Sequence, residues 1–171
     1  MKKYFSIFVA VCAMSFISSC TDETYVVNDY YFEGIVNEYE CDLLWNSEVG
    51  AFASYVEFQS SMLDTDVLLV YLLWENIDGL DVWRPLPQTT YTEFGPMTYS
   101  YDFTMGDATF YLTTSFDPNE VNDADIYRQI FRTVAVPASF VLAHQDVVKN
   151  YDSLMTKLED SDVSFRVVDV K

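Results

Sequence analysis

Histidine is almost missing from this sequence: His144 stands alone, in LAHQD, beside Asp146 and near Ser139. A hydrolase triad uses histidine as its base, and zinc sites draw three or four ligands mostly from His and Cys. One histidine excludes a zinc centre of that kind, and a loop histidine next to an aspartate reads as incidental. No catalytic residue is assigned. Glycine is also scarce, with five in the whole chain, and no G-x-S-x-G, Walker-type or dinucleotide pattern occurs. Phosphate-cradling classes therefore fall away. Cations are the third shortage. Nine Lys and Arg face 27 Asp and Glu, a net charge of −18, and between Cys20 and Val148 the basic residues are Arg84, Arg128 and Arg132. Such a chain repels nucleic acid and anionic lipid surfaces, so a nucleic-acid partner is excluded. No apolar run reaches the roughly 20 residues of a spanning helix.

Cysteine is limited to Cys12, Cys20 and Cys41. Its distribution is informed by the N-terminus, where Met1-Lys2-Lys3 precedes an apolar run from Tyr4 to Ile17 and then Ser18-Ser19-Cys20. A basic start, a short apolar stretch and small residues define a secretory signal. Ile17-Ser18-Ser19-Cys20 resembles the bacterial lipobox, in which the cysteine is lipidated and becomes the mature N-terminus. The expected organisation is a lipoprotein signal peptide over 1–19, a tether over 20–30 after lipidated Cys20, and a single domain over 31–171. Loss of Lys2 and Lys3 leaves 7 basic against 27 acidic residues, or −20. Acyl chains contribute about 0.8 kcal/mol per buried CH₂, so the expected partner is a membrane held through lipid. Thr21-Asp22-Glu23-Thr24 looks like the acidic export signals of Bacteroidota lipoproteins. The expected location is the outer membrane at the cell surface, with the periplasmic face as the alternative.

Cys41 then remains without a partner, so the mature chain forms no intrachain disulfide. In YECDLLW, Tyr39, Cys41, Leu43 and Trp45 alternate with acids, which puts the thiol on an apolar strand face as a buried, inert group.

With half of its residues apolar and 17% aromatic, the chain can fill a core. Period-2 patterning dominates it. NEYECDLLW (37–45) alternates, and AFASYVEF (51–58) sets Phe52, Val56 and Phe58 against Tyr55 and Glu57. DVLLVYLLWE (66–75) is apolar throughout, which predicts a strand buried on both faces. Asp78-Gly79 predicts a hairpin with LDVW returning, and Pro85 and Pro87 interrupt the ladder. MTYSYDFTM (97–105) and ATFYLTTSF (108–116) predict a second hairpin about Gly106-Asp107. YRQIFRTVAVP (127–137) reads as a long strand and DVSFRVVDV as the terminal one. One helix is predicted, within 145–160, with Asp146 as its cap. About eight strands and one short C-terminal helix predict an all-β fold, an antiparallel β-sandwich of immunoglobulin-like or jelly-roll-like type.

Two groups of residues are candidates for a site. Asp117, Asn119, Glu120, Asn122, Asp123 and Asp125 cluster in DPNEVNDAD. Calcium takes six to eight oxygen ligands from such loops. Asp117, Asn119, Asp123 and Asp125 are the metal candidates, against the reading of a solvated acidic turn; calcium is the one cofactor considered. Among aromatics, Trp83, Tyr99 and Tyr101 are the ligand-binding candidates, with Tyr99 and Tyr101 on one strand face opposite Asp102. Exposed rings stack on sugars or anchor interfaces.

DVLLVYLLWENIDGLDVWRPLPQTTY, with GPMTYSYDFTMGDATFYL and IFRTVAVPASF, resembles a group of small Bacteroidota lipoproteins of unassigned activity. The likeness covers roughly residues 66–171. Many relatives carry a collagen-like Gly/Pro segment after the lipidated cysteine; this chain continues instead into Tyr25-Val26-Val27. The resemblance implies an envelope location and brings no catalytic residues. Two functional expectations stay open: a non-enzymatic binding or structural module with an unknown envelope protein as partner, and a surface glycan-binding lipoprotein using Trp/Tyr platforms, with or without calcium.

Overall fold

In the computed structural model residues 33–160 and 164–170 are described; Cys20, the expected signal and the tether lie outside them. Ten strands make two five-stranded sheets, so the expected β-sandwich is the observed fold. The first sheet contains β1 (Glu33–Cys41), β4 (Asp66–Ile77), β5 (Leu80–Pro85), β9 (Gln129–Pro137) and β10 (Ser164–Val170), in the order β10-β1-β9-β4-β5. The second contains β2 (Leu44–Asn46), β3 (Ala51–Glu57), β6 (Gln88–Tyr91), β7 (Pro96–Phe103) and β8 (Asp107–Thr114), in the order β2-β3-β8-β7-β6. Pairing is antiparallel throughout except between β1 and β10, which run parallel with Glu33 opposite Ser164 and Tyr39 opposite Val170.

The stretch 37–45, expected as one strand, is two. β1 ends at Cys41, and after Asp42-Leu43 the chain crosses to the other sheet as β2. Leu43 is fully buried in the crossing, and its N–H donates to the Ile126 carbonyl at 2.7 Å. Arg128, at φ 55°, donates its backbone N–H to the Asp42 carboxylate at 2.9 Å. Alternation survives the change of sheet, which is why the pattern alone did not reveal it.

The main core fills the space between the sheets. Tyr39, Leu68, Val70, Leu72 and Phe131 meet Phe52, Met97, Tyr99, Phe110 and Leu112. Phe110 and Phe131 stack across it with centroids 4.1 Å apart. A second cluster covers the opposite face of the first sheet, where Val36, Tyr71, Val134 and Val136 pack on Tyr151, Leu154 and Leu158. β4 is therefore buried on both sides, as its unbroken apolar run predicts. Each fully buried leucine here contributes about 1.5–3 kcal/mol of transfer free energy.

Helical structure is more than the one element expected. Short helices α1 (Asp123–Ile126) and α2 (Ala138–Ala143) precede α3 (Tyr151–Glu159), and 3₁₀ turns occupy Pro118–Glu120 and Val147–Lys149. The cap of α3 is Asn150, whose side chain accepts from the Ser153 N–H at 2.9 Å. Asp146 caps nothing and pairs with Lys149 at 3.1 Å instead. The start is delayed because Val147 and Val148 are drawn against the sheet, and the Tyr71 hydroxyl donates to the Val148 carbonyl at 2.6 Å.

At the first hairpin Asp78 and Gly79 have φ 52° and 85°, the two positive values of a type I′ turn. Gly79 N–H donates to the Asn76 side chain at 3.0 Å. The second hairpin joins β7 and β8 as expected.

Candidate functional site

The two outer faces of the sandwich differ. That of the first sheet is covered by α3 and its neighbours. The strands of the second sheet contain no Lys or Arg, and their outer face carries an open groove of about 660 Å³. Its floor is small, Ala53 on β3 and Thr109 on β8, and Tyr55 and Tyr111 rise beside them. β2 and the β2–β3 turn supply the other wall with Leu44, Trp45, Glu48 and Val49. Leu44 is 60% exposed, Tyr55 58% and Trp45 48%, large values for apolar or aromatic residues in or beside a strand. Trp45 holds its place by an edge-on contact with Phe52 at 5.2 Å.

Carboxylates edge the groove. The Tyr111 hydroxyl donates to Asp102 at 2.9 Å, and the Tyr55 hydroxyl lies 3.4 Å from both Glu57 and Asp107. Partial burial first, then the bond to Asp102, raise the Tyr111 pKa. Both phenols therefore stay protonated and turn toward acids.

The aromatics expected to bind a ligand lie elsewhere. Tyr99 and Tyr101 do share a face, but it is the inward one. Tyr99 is 3% exposed and donates to the Asp125 carbonyl at 2.9 Å, while half-buried Tyr101 donates to the Leu68 carbonyl at 2.8 Å. Their hydroxyls fasten β7 to the loop and to the opposite sheet, so neither ring can be a platform. Burial raises both phenol pKa values. Trp83 faces α3, where the Arg132 guanidinium covers its ring at 4.0 Å and Tyr151 sits 5.4 Å away. Its stacking surface is occupied by the chain itself.

The calcium candidates do not assemble either. Asp117 accepts from the Asn119 backbone and side-chain amides at 3.0 and 2.8 Å, starting the 3₁₀ turn. Asp123 and Asp125 lie in the first turn of α1, and Asn122 reaches Asp125 at 3.4 Å. Among the described residues no group of three or more His, Cys, Asp or Glu side chains converges as metal ligands would. Asp117, Asn119 and Asp125 engage their side chains in local turns.

His144 ends α2 with its ring edge-on to Phe140 at 4.7 Å, and its neighbour Asp146 is engaged by Lys149. Cys41 is buried, and burial pushes its thiol pKa up, as its strand position predicts. What this surface offers is contact area and hydrogen-bond acceptors rather than a nucleophile with its base. Comparison with family models, with curated proteins and with solved structures finds no match.

The groove residues were not singled out from sequence. The available signal was the outward parity of Tyr55 and Glu57, read together with the absence of Lys and Arg from 43–83 and 85–127.

Proposed function

We propose that this chain is a lipid-anchored protein of the bacterial cell envelope that acts by binding rather than by catalysis, and that it binds through the outer face of its second sheet. The lipobox-like Ile17-Ser18-Ser19-Cys20 supports the anchor, and the resemblance to small Bacteroidota lipoproteins supports the outer membrane as its site. The observation that carries the binding role is the groove, where exposed Leu44 and Tyr55 gather with Tyr111 on one uncovered sheet face, and Trp45 stands at its edge. Apolar and aromatic side chains grouped in this way mark interaction sites on soluble domains. The alternative, a glycan platform, would have to use Tyr55 and Tyr111 in place of Trp83, Tyr99 and Tyr101, whose rings the fold covers.

Site-specific photo-cross-linking in intact cells tests the role. A photoreactive residue at Tyr55 should give discrete adducts, and one at exposed Ser153 on α3 should not. No adduct at Tyr55, or the same adducts from both positions, would remove the sheet face as the binding surface.

A further inference from the structure

We infer that the groove takes a basic, arginine-bearing segment of another polypeptide, an inference that rests on the binding role proposed above. Charge complementarity is the first reason. Glu48, Glu57, Asp102 and Asp107 lie in or around the groove, and none of the five strands of its sheet has a basic residue. Hydrogen-bond chemistry is the second. Both tyrosine hydroxyls turn toward carboxylates, so the acidic side of the groove presents acceptors, while Asn46 and Ser47 line its other wall. Sugar hydroxyls are donors and acceptors at once, and on that acidic side their acceptor capacity would go unmet. A guanidinium has five donors and no acceptor. Its plane suits a tyrosine face, and its apolar stem suits Leu44 and Val49.

The molecule's first sheet shows the same pairing in its own fold. Arg84 lies 4.0 Å over the ring of Trp74, and Arg132 lies 4.0 Å over that of Trp83. Arginine covers the aromatic rings there, and the second sheet supplies no such cover for Tyr55 and Tyr111. β2 is an edge strand beside the groove, so an extended segment can also hydrogen-bond to its backbone.

Calorimetric titration with a short peptide of alternating arginine and threonine, at physiological salt, tests this. Tyr55→Ala with Tyr111→Ala should weaken binding about tenfold by removing two ring faces at constant charge. Tyr55→Phe with Tyr111→Phe keeps the rings and should retain most of the affinity. Asp152→Asn with Glu159→Gln, on the helix behind the opposite sheet, should change it by less than about twofold. Thermal melts confirm that each variant is folded. Equal binding by the ring-less variant, or a larger loss from the helix variant, would reduce the effect to diffuse attraction by a net charge of −18 and overturn the inference. A neutral oligosaccharide that binds in place of the peptide and is lost with the tyrosines would also overturn it, yet leave the binding role standing. Missing cross-links at Tyr55 would remove the role itself.

Discussion

At the scale of single residues, the polar groups inside the sandwich are the most informative. Tyr39 and Thr133 bring hydroxyls into the main core, and neither has a hydrogen-bond partner of good geometry. Thr133 is nonetheless near enough to lower the Tyr39 pKa slightly, against burial, which pushes it up to about 12. An unpaired buried hydroxyl costs about 1–3 kcal/mol, so Thr133→Val, of matching shape, should be neutral or stabilise by about 1 kcal/mol. Denaturant unfolding will read this, and a clear loss would show that the two hydroxyls do pair. Arg84 belongs to the same scale. Opposite Leu72 on edge strand β5, it points a charge inward and lies over Trp74, a device that discourages edge-to-edge association. Arg84→Ala should cost about 0.5–1 kcal/mol. Arg132→Ala should cost more, because it also strips the partner from half-buried Glu38, which Arg132 holds at 2.7 Å. Equal melting midpoints for the two variants would contradict that ordering.

Among the elements, α3 gives the clearest test. Asn150→Ala removes the bond to Ser153 N–H and should cost about 1 kcal/mol in thermal unfolding, whereas Asp146→Ala should be near neutral. The reverse order would return the cap to the position the sequence suggests. That misplacement shows what could and could not be read from the chain. Strands β3, β4, β7, β8 and β9 and both hairpins were legible, because alternation and Asp-Gly chemistry are local. The crossing at Asp42-Leu43 was not, since a strand that changes sheets keeps its parity while its partners change. Parity also could not say which face of β7 looks inward. It put Tyr99 and Tyr101 together correctly, but only the opposing sheet turns that shared face into core. The groove depends on β2, β3 and β8 lying side by side, a non-local fact that no window of sequence contains.

For the whole molecule, burial of tyrosine sets the alkaline limit. Tyr39, Tyr71 and Tyr99 all have pKa values raised above 10.0, with burial as the main cause. The folded state holds these protons more tightly than the unfolded chain does. The corresponding stability is fully present below about pH 10 and is lost as pH rises through the folded values, near 12 for Tyr39. Melting temperatures between pH 8 and 11.5 should hold and then fall steeply, while the part of the phenolate absorbance that belongs to the buried rings rises with unfolding rather than before it. Early ionisation without unfolding would show that the rings are accessible. Anchoring is a property of the whole chain too. Cys20→Ala should move the protein from the membrane to the soluble fraction, since no helix among the described residues is long and apolar enough to cross a bilayer. Retention of the variant in the membrane fraction would require another attachment. The parallel pairing of β1 and β10 bears on how such a protein carries mechanical load. Glu33 begins one strand and Val170 ends the other, at opposite ends of a shared ladder roughly 20 Å long. Tension applied between the entry to the fold and its C-terminal end pulls these strands along their length in opposite directions. The ladder is then loaded in shear, with all of its hydrogen bonds resisting together, instead of being unzipped one bond at a time.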